Sequence, residues 1–198
     1  MLGFLAKFTY TPDSITPDDI VVLKKSGISD RAFVDAIYIC MGFNVINRIA
    51  DAMDFKIPPN IVFTTGANFM RKYGYKFMSG SWRPSINSRL SPDSPENQSL
   101  IDPYQKMLER LKRAVLSGPG TLDSRIREAA GRGENISGAI GQFVRKVAER
   151  DYGAMDQEIA KLHQESYSDD QIFEATVSAA FGAGNHRLGL ALNALKKS

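Results

Sequence analysis

The chain has 198 residues, of which 43% are hydrophobic and 24% charged, the balance of a folded globular protein rather than a disordered tail or a fibrous repeat. No run approaches the roughly 20 apolar residues that span a bilayer, and Met1-Leu2-Gly3-Phe4-Leu5-Ala6-Lys7 lacks the apolar core and cleavage site of a signal peptide. The lone Cys40 excludes an intramolecular disulfide, a CxxC pair and a cysteine-rich zinc site, and a formal charge of +3 is too small to imply nucleic acid by itself.

Helical signals run the length of the chain. A short helix is expected around Ile20 to Lys25, and Ser29-Asp30 starts a long apolar one. Residues 79–99 are rich in Ser, Pro and Asn and have no apolar period, which reads as a loop or linker. There Trp82 and Arg83 could close over a pocket as a lid, or Trp82 could tuck against the core. Asp102-Pro103 is a helix start, since Asp caps free N–H groups and Pro fits the first helical position. Met107, Leu108, Leu111, Val115 and Leu116 then keep helical spacing until Gly118-Pro119-Gly120 ends the run. A short helix from Asp123 or Ser124 to near Gly131 is expected, then another over Ile136 to Arg150. Ser168-Asp169 starts a last, long one. No hairpin signal occurs, so the expected class is all-α. The expected divisions are 1–78, a loop over 79–100, and 101–198.

A shift of 139 residues aligns 4–58 with 143–197 without a gap. Nine identities result, among them Phe4 with Phe143, Lys7 with Lys146, Leu23 with Leu162 and Arg48 with Arg187. Ser29-Asp30 falls on Ser168-Asp169. The shared unit is helix, loop, short helix, Ser-Asp cap and long helix. One such unit cannot bury its apolar face alone, so two are expected to pack with pseudo-twofold symmetry. A generic helical bundle with coincident spacing is the rival reading.

Leu23-Lys24-Lys25-Ser26-Gly27-Ile28-Ser29-Asp30, Asp35-Ala36 and Phe43-Asn44-Val45-Ile46-Asn47-Arg48-Ile49-Ala50-Asp51 resemble the core of the alkylhydroperoxidase D-like superfamily, which includes the carboxymuconolactone decarboxylases. The Phe-Asn-x-x-Asn-Arg-x-Ala-Asp stretch is similar to the peroxidase-related branches. Tyr167 to Thr176 and Ala179 to Gly184 resemble the same core again. The resemblance implies an all-helical fold of antiparallel helices in symmetric oligomers. It also implies a chemistry from which the chain departs. Active peroxidases of the family carry Cys-x-x-Cys-x-x-x-His on the long helix, with a Glu before it. Here that register holds Asn44, Asn47 and Asp51, and the Glu position holds Ala32. In the second unit it holds Ala183, His186 and Leu190. A dithiol route needs a thiolate to attack peroxide and a second sulfur to release the sulfenic acid, and amides do neither.

Cys40 sits a turn before Asn44, where it could act as a one-cysteine peroxidase with an external thiol. Its neighbours Ile37, Tyr38, Ile39 and Met41 point instead to a buried small hydrophobe. Asn44, Asn47, Arg48 and Asp51 are spaced i, i+3, i+4 and i+7, a single helical stripe. Arg48 could hold an anion and Asp51 could orient it or act as base; equally the four could be a packing network. Asn44, Arg48 and Trp82 are the expected substrate contacts, with Asn47, Arg48, Asp51 and His186 as catalytic candidates. His163 reads as a surface residue, and no metal site is expected. Gly182-Ala183-Gly184 follows no strand, so it reads as a close helix approach rather than a nucleotide loop. Lys106, Arg110, Lys112 and Arg113 read as a solvated face. The expected partners are a small molecule and further copies of the chain in a homo-oligomer. Neither nucleic acid, membrane nor cofactor is expected, and the compartment is the cytoplasm.

Overall fold

The computed structural model describes residues 1–56, 60–78 and 102–198. Among them every regular element is helical. The chain divides into two units, one of Met1–Asp54 with Ser99–Ser198 and the other of Phe55–Gln98. The boundary after Asp54 falls inside the expected segment 1–78. Trp82 and the expected loop over 79–100 lie outside the described residues.

The first unit opens with α1 (Leu2–Tyr10), a 3₁₀ turn (Pro12–Ser14), α2 (Pro17–Lys25) and α3 (Asp30–Ala52). The second unit holds α4 (Asn60–Met78), on which Ile61 and Val62 are exposed. The first unit resumes with α5 (Asp102–Lys112), which runs into a π turn (Arg113–Ser117). Then come α6 (Ser124–Arg132), α7 (Gly138–Glu149), α8 (Met155–Gln164) and α9 (Asp169–Lys196).

Side chains at the helix ends explain the boundaries. Ser29 Oγ accepts from Ala32 N at 3.2 Å, and Ser168 Oγ accepts from Gln171 N at 3.3 Å, so both long helices start on a serine cap. Asp123 accepts from Arg125 N at 2.8 Å and starts α6. α2 and α8 end alike: Ile28 N donates to Leu23 O at 3.1 Å and Tyr167 N to Leu162 O at 3.0 Å. The residue before each, Gly27 (φ 85°) and Ser166 (φ 68°), is left-handed.

α3 and α9 pack on one another and carry the core. Phe8, Phe33, Val34, Ile37, Phe181 and Leu188 are buried on one side of the unit. Phe143, Val147, Leu162, Ile172, Ala179 and Ala180 are buried on the other, and Val45 packs against both clusters. The two long helices meet closely at Gly184, where an added Cβ would stand 2.8 Å from Val45 Cγ2. α6 lies against α9 just as closely: a Cβ on Gly182 would stand 2.5 Å from Gly131 O. By length and composition α3 could cross a membrane. Its inner face, with Phe33, Val34, Ile37, Asn44 and Arg48, is buried against the rest of the unit.

Polar ties repeat across the unit. Lys7 Nζ donates to both Asp19 oxygens, at 2.9 and 2.7 Å, joining α1 to α2. Lys146 Nζ donates to Glu158 Oε1 at 2.9 Å, joining α7 to α8. Buried Arg127 donates to Leu122 O, Val115 O and Gly118 O, at 3.2, 3.1 and 2.6 Å, and so fixes the loop after the π turn.

Candidate functional site

The stripe on α3 divides. Asn44 and Arg48 are buried, whereas Asn47 and Asp51 are exposed. Arg48 is only 1% exposed, the largest fully buried side chain described. Its Nη1 donates to Asn44 O at 2.9 Å and Asn44 Oδ1 at 3.0 Å, and its Nε to Ala148 O at 3.5 Å, across to α7. Asn44 Nδ2 in turn donates to Thr9 Oγ1 at 3.2 Å and to Cys40 O at 3.0 Å. Cys40 Sγ lies 3.8 Å from Thr9 Oγ1 and 3.6 Å from Asn44 Nδ2. Half-buried, it belongs to this network and packs against the core.

Arg187 on α9 makes the same bonds with the partners exchanged. Its Nη1 donates to Ala183 O, four residues back, at 2.8 Å, and its Nε to Thr9 O on α1 at 3.4 Å. Thr9 and Ala148 are themselves 139 positions apart, as are Arg48 and Arg187. Each long helix thus pins the end of the first helix of the other half by one guanidinium.

The third arginine here is Arg150. It ends α7 in the left-handed conformation (φ 65°) two residues after Ala148, and its Cζ lies 5.4 Å from the centre of the Tyr10 ring, next to Thr9. Three guanidinium groups therefore gather where α1 and α7 end on α9 and α3. Burial holds the Arg48 guanidinium down, to about 10, and Arg187 and Arg150 push the same way against Tyr152 and Asp51. Arg187 is lowered by burial, then by Arg150, with Asp13 and Tyr152 opposing. Both stay protonated at neutral pH, but neither has its charge fully compensated. Arg48 Nη2 is buried without a hydrogen-bond partner among the described residues.

Arg187 and His186 open on a cleft of about 840 Å³. Pro12 and Asp13 of the 3₁₀ turn form one wall, Leu116 and Gly131 another, and Phe181, Gly182 and Ala183 of α9 the floor. His186 is exposed, with Nε2 3.3 Å from Asp13 Oδ1. Rim residues Arg132 and Glu134 are paired with each other at 2.6 Å. That size lies within the roughly 300–1,000 Å³ of small-molecule sites, and the lining sets a small-residue floor among charged side chains, Asp13, Lys112, Arg132, Glu134, Glu149 and Arg187.

The structure therefore brings Asn44 and Arg48 together, and places His186 with Arg187 on the cleft. Asn47 and His186 share no hydrogen bond among the described residues. Asn44, Asn47 and Asp51 line none of the described clefts. Sequence reasoning missed Asp13, Arg150 and Tyr152. The signal was present in the 139-residue register, which sets Asp13 against Tyr152 just as it sets Arg48 against Arg187. His163 is a surface residue, with Nε2 3.3 Å from Asp169. Among the described residues no three His, Cys, Asp or Glu side chains gather as metal ligands would. Compared with family models, curated proteins and solved structures, the chain gives no match.

Proposed function

We propose that this chain has the alkylhydroperoxidase D-like helical fold, built from two pseudo-symmetric repeats, and that it binds or acts on a small molecule without dithiol peroxidase chemistry. The carrying observation is the cleft of about 840 Å³ on α9, with Arg187 and His186 at its edge. The exchanged bonds of Arg48 and Arg187 support the repeats. So do the paired ties Lys7–Asp19 and Lys146–Glu158. Asn44 and Asn47 at the thiol positions, with Cys40 held among Thr9 and Asn44, argue against sulfur chemistry.

The test has two parts. Peroxide consumption by wild type and Cys40→Ser should be equal and near background; a rate lost in the variant overturns the non-thiol reading. Neutral lactones and quinones, screened by thermal unfolding, should include compounds that raise Tm. Silence across the whole panel favours a second reading, a non-catalytic scaffold. That reading draws on Ile39, Phe43 and Ile46, which share one exposed stripe of α3. In both readings the protein is a cytoplasmic homo-oligomer, and light scattering reports its mass directly.

A further inference from the structure

We propose that the α9 cleft selects a small molecule with an oxyanion at one end, a carboxylate or a phosphate, held by Arg187, and a small apolar body lying against Gly131 and Ala183. The inference rests on the small-molecule reading above and names the ligand chemistry of that same cleft. Arg187 spends Nε and Nη1 on Thr9 O and Ala183 O, and no described residue accepts from Nη2. Its two bonds fix the plane of the guanidinium, so the remaining donors are preorganised for a forked pair with an oxyanion.

The surroundings leave positive charge in excess at this point. Arg150, stacked on Tyr10, and Arg48, bonded to Ala148 O on the cleft wall, both stand close enough to disfavour the charge of a neighbouring arginine. Buried Arg48 Nη2 has no partner among the described residues. A buried charge without a counter-ion is costly, and an incoming anion removes part of that cost. The carboxylates on the cleft supply it only in part: Asp13 favours the Arg187 charge but is shared with His186 at 3.3 Å, Glu134 pairs with Arg132, and Glu149 is exposed at the rim. Away from Arg187 the floor is formed by Gly131, Gly182 and Ala183 over buried Phe181 and Leu116, and the charged side chains Lys112, Arg132, Glu134 and Glu149 also line the cleft, so a ring or short chain fits only the floor beside Arg187.

The probes are benzoate, benzyl phosphate and neutral benzyl alcohol, compared by thermal unfolding and by calorimetric titration at constant ionic strength. Benzoate or benzyl phosphate should stabilise the wild type more than benzyl alcohol, and the better of the two identifies the oxyanion. Arg187→Gln should weaken that anion about tenfold or more, whereas Arg125→Gln, exposed on α6 and outside the cleft, should leave it unchanged. Because Arg187→Gln also loses two backbone bonds, Asp13→Asn is the second variant. Asp13 is exposed, and its removal takes away the competing carboxylate, so anion affinity should rise several-fold. Equal anion binding in Arg187→Gln and wild type, or weaker binding in Asp13→Asn, overturns the proposal. Benzyl alcohol binding as well as the anions overturns the oxyanion inference alone and leaves the small-molecule reading standing. No shift with any probe or any member of the neutral panel overturns both.

Discussion

Arg48 shows how one residue serves two ends. Its guanidinium ties Asn44 on its own helix to Ala148 on α7, at 1% exposure. Arg48→Ala leaves a cavity and unpaired groups at Asn44 and Ala148, and should cost about 3 kcal/mol of unfolding free energy in urea. A loss under ~1 kcal/mol would mean that the network does not stabilise the fold. The sequence placed Asn44, Asn47, Arg48 and Asp51 on one stripe, and only part of that was legible. At about 100° per residue, Asn47 lies some 100° round the helix from Arg48. The edge of the buried face falls between them, so Asn44 and Arg48 turn inward and Asn47 outward. Spacing defines a face but not where its border runs; the border depends on what α7 and α9 cover.

At the scale of elements, the starts and stops of helices were well encoded. The serine caps of α3 and α9, the Asp123 cap of α6 and the break at Gly118 all act where the sequence puts them. The helix α4 was not legible, since Val62, Thr64, Thr65 and Gly66 in Asn60–Met78 are weak helix formers. Small residues on α9 were read as a place of close approach, and α6 fills it. Gly182→Ala is therefore expected to destabilise by about 2 kcal/mol, although alanine is the better helix former, because the new methyl meets the backbone of Gly131 rather than a yielding side chain. A thermal melt followed by circular dichroism would check this, and a rise in Tm would contradict the packing of α6 on α9.

At the scale of the molecule, stability rests partly on two ion pairs in matched places, and that makes it dependent on acid. The hydrogen bond from Lys146 lowers the pKa of Glu158 below its ordinary value, against burial, with Lys161 helping. A carboxylate lowered in the folded state stabilises fully above its unfolded pKa and loses that contribution as pH falls through the folded value. Wild type should therefore exceed Glu158→Gln by about 1–2 kcal/mol at pH 7. The gap should close as pH falls below the ordinary glutamate range. Urea unfolding at a series of pH values reads it, and a gap independent of pH would assign the effect to packing instead. The 139-residue shift that aligns 4–58 with 143–197 was visible in the sequence. The exchange of partners between Arg48 and Arg187 was not, because it depends on which helix end each guanidinium reaches in three dimensions.

The meeting of Gly184 with Val45 has a consequence for how such a molecule can vary. These residues are 139 positions apart, so each faces its own counterpart. In a dimer of identical subunits, a residue on the axis of symmetry meets a copy of itself, and any substitution there arrives twice. On the proposed two-repeat reading, joining both halves in one chain lifts that constraint. A bulky valine can then sit against a glycine at one shared register position, which a residue meeting its own copy on the axis cannot do. On that reading one junction between the halves sets His186 beside Asp13, while the matching junction carries Asn47 and Tyr152, so the two junctions are free to diverge in chemistry.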